Sequence, residues 1–163
     1  MVTGASAGRS TVADMSLSSV LVLNGPNLNL LGQREPEVYG TATLADHMTA
    51  LRQHADTAGI TVSDMQSNSE SDLVGAIQNA RGAHDALIIN AGAFTHYSWA
   101  IHDALRSFSG PIVEVHLSNP TAREEFRHVS VLSTVVDGTI SGFGGEGYVL
   151  ALQALITRST SSS

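Results

Sequence analysis

Val20-Leu21-Val22-Leu23-Asn24-Gly25-Pro26 is a short, wholly apolar run that stops at a turn signal. Such a run reads as a buried strand. Ala86-Leu87-Ile88-Ile89-Asn90 repeats the pattern. Between the two, residues 44–58 carry Leu44, Met48, Leu51 and Ala55 at helical spacing, and Gly59 closes that helix. Residues 60–66 form a second strand and residues 71–80 a second helix. Downstream, residues 98–107 are helical and residues 111–117 form a fourth strand. Val131–Val136 with Thr139 and Ile140 read as irregular β structure near a fifth strand. Residues 148–156 make a final helix. Strands alternating with helices predict a parallel sheet with helices on both faces. The expected architecture is α/β: a flavodoxin-like, doubly wound, five-stranded parallel sheet in the order 2-1-3-4-5.

The 163 residues favour one domain, placed at residues 18–158. Residues 1–17 are rich in Ala, Gly, Ser and Thr, lack the apolar core of a signal peptide, and read as a disordered lead, with Met15 an alternative start. Residues 159–163 read as a disordered polar tail. Hydrophobic residues make up 42% and charged residues 14%, the balance of a soluble globular chain. The net charge of −7 argues against nucleic-acid and anionic-membrane partners, which require a basic footprint. No stretch approaches the ~20 apolar residues of a membrane span.

Two absences exclude whole chemistries. Without cysteine there is no disulfide, thiolate nucleophile or cysteine-based metal site. All eight basic residues are arginine, so lysine imines, pyridoxal phosphate anchoring and a P-loop are excluded as well.

In doubly wound sheets the ligand sits beyond the carboxyl ends of the strands. Asn24 and Asn27 follow the first strand, Asn90 and His96 the third, and Glu114, His116 and Ser118 mark the end of the fourth. Amides, imidazoles, a carboxylate and a hydroxyl converging there point to a small, polar, hydroxylated ligand.

Other motifs weigh less. Gly142-Phe143-Gly144-Gly145-Glu146-Gly147 matches G-x-G-x-x-G, but no βαβ unit fits in the 16 residues after it, so it reads as a tight turn into the last helix. Gly4-Ala5-Ser6-Ala7-Gly8 matches a nucleophile elbow yet lies in the lead with no strand before it. No histidine pair has zincin spacing. His47 and His54 read as surface residues, and His96 and His116 stand apart because both fall at strand ends.

Leu31–Gly40 is a polar loop with glycines near each end and Pro36 inside, as suits a mobile lid. It carries Arg34 and Tyr39. A tyrosine titrates near ~10 in model peptides and is a poor base at neutral pH. A close guanidinium favours the phenolate, so the loop reads either as an ordinary surface loop or as one in which Arg34 partners Tyr39. Arg123 and Arg127 share a face if residues 121–127 are helical, either as a solvated helix or as an anion or diol clamp over the crevice.

The segments LNGPNLNLLGQREPEVYG, QSNSE, INAGAFTHYS, EVHLSNPTAREEFR and GFGGEGYVLAL resemble the type II dehydroquinases, over roughly residues 20–156. The resemblance implies a lyase that dehydrates 3-dehydroquinate to 3-dehydroshikimate by anti elimination through an enolate. It implies no cofactor and no metal. Tyr39 would be the base, activated by Arg34, and His116 the general acid, oriented by Glu114. Asn27 would hold the water that stabilises the enolate. Asn90, Leu117 (through its N–H) and Ser118 would bind the carboxylate. His96 and Arg127 would hold the ring hydroxyls, and Arg123 would flank the lid. The resemblance further implies a cytoplasmic homododecamer built from trimers, in which Asp103 reaches a neighbouring subunit's site. The reaction would serve aromatic amino acid biosynthesis through the shikimate pathway, or quinate breakdown at the same site. From other classes, a flavodoxin-like binding module would need a hydroxyl-rich phosphate loop where NGPNLNLLG stands, and a non-catalytic homologue would not need Arg34, Tyr39 and His116 together.

Overall fold

The short runs pair side by side in one parallel sheet, in the order β2-β1-β3-β4-β5. The structure is a computed structural model and describes residues 16–161. In chain order the elements are β1 (Ser19–Asn24), the one-turn helix α1 (Pro36–Tyr39), α2 (Leu44–Thr57), β2 (Thr61–Gln66) and α3 (Glu70–Ala80). They continue with β3 (Ala86–Asn90), α4 (Trp99–Arg106), β4 (Ile112–His116), β5 (Gly138–Ser141) and α5 (Glu146–Ser161). The expected strand order is the observed one. Among the described residues no helix is long and apolar enough to cross a membrane.

Strand side chains alternate between faces, so each central strand feeds two cores. Val20, Val22 and Ile88 meet Met48 and Leu51 of α2 and Val149 and Leu152 of α5. Leu21, Leu23 and Ile89 meet Leu73 and Ile77 of α3 and Ile101 and Leu105 of α4. Three helix starts are satisfied by side-chain caps. Thr43 and Asp46 form a capping box before α2, while Ser69 and Ser98 cap α3 and α4.

The order reverses between β1 and β3, which opens a crevice at their carboxyl ends. Gly25 lies at that switch point. Its N–H donates to the Asn90 carbonyl at 2.7 Å, and a Cβ there would overlap the Ala91 carbonyl. Only glycine lets the two strand ends come this close.

Several local expectations are corrected. Val131–Val136 is not β structure but a succession of turns. It buries Leu132 completely and lays Val131, Val135 and Val136 on the α3–α4 core, so its apolar residues find burial without a strand. α5 begins two residues earlier than expected and runs to Ser161, into the stretch read as a frayed tail. Residues 121–127 are not one helix: 3-10 turns at Pro120–Ala122 and Glu125–His128 flank extended backbone at Arg123 and Glu124. Pro36 does not break a helix but occupies the first turn of one. Residues 1–15, with the elbow motif and Met15, lie outside the described residues, whereas Leu17, assigned to the lead, packs against the first core.

The glycine motif is the expected turn into the last helix, with Gly142 and Gly144 at positive φ. It also fastens the end of β4: Gly142 N–H donates to the His116 carbonyl at 3.2 Å, and Gly144 N–H to the Leu117 carbonyl at 2.9 Å. His47, expected at the surface, is only partly exposed. Burial pushes its imidazole pKa down, and a Cβ on Gly145 would overlap its ring. Gly145→Ala is therefore expected to destabilise by about 1–3 kcal/mol, with most of the loss recovered in the double variant carrying His47→Ala. Thermal melts of the four proteins in that cycle check the coupling.

Candidate active site

Beyond the carboxyl ends of β1, β3 and β4 lies one crevice, and ten of the twelve residues expected at a site line it. Asn90, His116, Leu117 and Ser118 come from the strand ends. Asn27, Arg34 and Tyr39 come from the segment after β1, and His96, Arg123 and Arg127 from the walls. The other two stand elsewhere. Glu114 is completely buried beside His116. Asp103 points outward on α4, its side chain 79% exposed, outside this chain's own crevice.

At the sheet end of the crevice, His116 Nε2 lies 2.9 Å from Glu114 Oε1. That engagement leaves Nδ1 as the ring nitrogen to meet a ligand. Thr95 Oγ1 donates to the same carboxylate at 2.7 Å, and Ser130 Oγ lies within 3.2 Å of both oxygens. Burial alone would push the Glu114 carboxyl up. Hydrogen bonds from His116, Thr95 and Ser130, together with the His116 charge, outweigh it and hold the group below the usual carboxylate range. Glu114 is thus an anion at neutral pH, and the stability it contributes is lost as pH falls through its depressed value.

At the other end, in the loop that carries Tyr39, the expected pairing is corrected. The cation on Tyr39 is Arg123, whose Nη1 donates to the phenol oxygen at 2.5 Å, with its Cζ 5.4 Å from the ring centroid. Arg34 is turned away. Its Nε pairs with Glu35 at 3.1 Å, and its side chain is half exposed. The backbone explains the swap. Glu35 adopts the left-handed conformation (φ 46°) and Gly32 and Gly40 stand at φ 84° and 79°, so the loop turns sharply on both sides of α1. Tyr39 faces inward as a result, against the first core. Arg123 Nη1 also reaches Ser118 Oγ at 3.4 Å, linking the Tyr39 loop to the end of β4.

The floor is set by a residue that the sequence reading left unassigned. Tyr148 on α5 is fully buried, and burial pushes its phenol well above the ordinary value, so it keeps its proton. That proton goes to Asn24 Oδ1 at 2.6 Å, so the oxygen must accept from Asn90 Nδ2 at 3.2 Å. Gly92 N–H donates to Asn90 Oδ1 at 3.3 Å. The Asn90 amide therefore has one orientation, and its second N–H is free to serve an anion. Tyr148→Phe removes that constraint, and a neutral hydrogen bond is worth ~0.5–1.5 kcal/mol. KM for a carboxylate substrate is expected to rise roughly two- to tenfold with kcat little changed, as steady-state kinetics will show.

Asn27 is held in the left-handed conformation (φ 66°), its N–H donating to Asn68 Oδ1 at 3.0 Å, and Gln66 supports Asn68 at 3.1 Å. Asn68, Thr95 and Tyr148 all fall inside recognisable motif segments, which was the signal available for them. Ser130 lies outside every such segment. Among the described residues no cluster of three or more His, Asp or Glu side chains is placed to hold a metal ion.

A doubly wound α/β domain with a tyrosine and a carboxylate-backed histidine in one amide-lined crevice defines an acid–base enzyme for a small polar substrate. The chain belongs to the type II dehydroquinases: residues 18–156 match the family described as Dehydroquinase class II. It is 55% identical over 139 residues to the 3-dehydroquinate dehydratase of Ruegeria pomeroyi, covering 85% of this chain and 93% of that one. It is 52% identical over 138 residues to the Bacillus subtilis enzyme of the same name, with the same coverage. Among solved structures, the type II dehydroquinase from Propionibacterium acnes superposes with a TM-score of 0.83 at 47% identity, over 86% of this chain and 97% of that one.

Proposed function

We propose that this chain dehydrates 3-dehydroquinate to 3-dehydroshikimate, with Tyr39 as base and His116 as acid, in the shikimate pathway. The carrying observation is the pair of ends of one crevice: a tyrosine with a guanidinium on its oxygen, and a histidine with a buried carboxylate behind it. Tyr39 takes the C2 proton. The guanidinium on the phenol oxygen is that of Arg123, and the assignment of the partner role passes from Arg34 to Arg123. Arg34 contributes from the lid once its guanidinium leaves Glu35. The enolate oxygen meets a water held by Asn27, which lowers the cost of the developing charge. His116 then gives its proton to the departing C1 hydroxyl. One C–H and one C–O bond break, a C=C bond forms, and water leaves.

Asn90, Ser118 and the Leu117 N–H hold the substrate carboxylate, while His96 and Arg127 hold the ring hydroxyls. The reading includes a cytoplasmic location, no nucleic-acid partner and a homododecamer built from trimers, with Asp103 entering a neighbour's crevice. The exposed apolar side chains of Tyr97, Trp99, Phe126 and Val129, together with the outward Asp103, support self-association.

Purified protein given 3-dehydroquinate is expected to form a conjugated enone, followed by ultraviolet absorbance, and activity survives borohydride added with substrate. Absence of turnover at neutral pH sinks the assignment, and irreversible loss to borohydride contradicts an imine-free route.

A further inference from the structure

Beneath the crevice, the segment Val129–Val131 touches one site histidine, His96, and the carboxylate behind the other. His96 Nδ1 bonds the Val129 carbonyl at 2.7 Å. Ser130 Oγ lies 3.2 and 3.1 Å from the two oxygens of Glu114, the partner of His116. Val131 N–H donates to the Thr95 carbonyl at 2.8 Å, tying the segment to the turn that carries Thr95 and His96. The direction of the Ser130 bond is fixed. Its oxygen accepts the N–H groups of Leu132 and Ser133 at 3.2 and 3.1 Å, so its single proton is directed at Glu114. Thr95 Oγ1 donates from the other side at 2.7 Å, and Thr139 Oγ1 on β5 lies at 3.5 Å.

We propose that Ser130, with Thr95 opposite it, is a positioning residue for the general acid: the two hydroxyls hold Glu114 as a carboxylate against His116, while the adjacent Val129 carbonyl fixes the ring of His96. This rests on the reading of His116 as the acid and extends it to groups that never meet the substrate. A completely buried carboxyl favours its neutral form unless hydrogen bonds stabilise the anion. Neutral Glu114 would no longer present a charged acceptor to the His116 imidazole at 2.9 Å. The hydroxyl donors keep that imidazole paired with an anion. At His96, a proton committed from Nδ1 to a carbonyl leaves Nε2 to accept from a ligand hydroxyl. The charged and titratable groups around Glu114 are His116 on its own strand and, along the polar cavity on that side, His96, Arg127 and His128.

The test is a histidine imidazole titration by NMR on the full-length protein labelled with 15N-histidine, without substrate, comparing wild type, Ser130→Ala, Thr95→Val and Ser130→Thr. Removing a donor to the charged form raises the carboxyl's pKa. The acidic step of the coupled Glu114–His116 titration is expected to move up by about one pH unit in Ser130→Ala and Thr95→Val, and to stay in place in Ser130→Thr. In the two shifted variants kcat falls roughly tenfold with KM within about twofold, and the acidic limb of the kcat profile moves with the titration. Thr95→Val keeps the backbone carbonyl that Val131 needs, so it gives the reading even if Ser130→Ala fails to fold. An acidic step unmoved in Thr95→Val overturns the proposal. Because the titration needs no turnover, an inactive wild type would sink the functional reading and leave this result standing.

Discussion

Tyr39→Phe is expected to lower kcat by about 10²- to 10⁴-fold, the range that a positioned general base contributes. The ring and its contact with the first core remain, so the thermal midpoint should hardly move. What is lost is the oxygen that receives Arg123 at 2.5 Å. Hydrogen exchange at C2 in D2O should be lost together with product formation, because both begin with the same proton transfer. Arg123→Gln should share much of the loss. A hydrogen bond to a charged group is worth about 1.5–3 kcal/mol, roughly 10- to 150-fold. Arg34→Gln should cost less than Arg123→Gln, since Arg34 stands with Glu35 and not on the phenol.

His116→Gln is expected to lower product formation by a similar 10²- to 10⁴-fold, through a different step. Hydroxide is a poor leaving group, and glutamine has no proton to give it. On the proposed roles Tyr39 is untouched, so the variant should still form the enolate and return it to substrate. Incubation in D2O should therefore place deuterium at C2 of recovered 3-dehydroquinate while little 3-dehydroshikimate appears. That contrast with Tyr39→Phe separates base from acid in two mass spectra. Glu114 behind the substituted position remains bonded to Thr95 and Ser130, so misfolding is not expected to mimic the effect.

The strand order was legible because each central strand is a short apolar run ending at Asn24, Asn90 or His116, and the chemistry stands on those ends. Local features were harder to read. Val131–Val136 has the composition of a strand, but its apolar groups are buried as turns, and periodicity cannot separate the two over six residues. The end of α5 was read as polar fray. Ser159 and Thr160 hydroxyls instead bond the carbonyls of Ile156 and Thr157 at 2.8 and 2.9 Å, which lets a polar stretch stay helical.

At the site, residue types showed where groups gather but not which touch. Arg34, five residues from Tyr39, is the partner expected from sequence. The arginine that reaches the phenol lies 84 residues away, brought there by the crossing of the lid with the segment after β4. Tyr148 and Asn24 are 124 residues apart, and Ser130 and Glu114 are 16 apart on different elements. Such pairings are tertiary facts with no local signature.

The central claim is that base and acid work from opposite sides of one bound ring, Tyr39 from the lid and His116 from the sheet. Substrate deuterated at C2 on a single face tests it most directly, with product analysed by mass spectrometry. Label placed anti to the C1 hydroxyl should be lost from 3-dehydroshikimate, and label placed syn should be kept. Retention of the anti label with loss of the syn label would contradict the account.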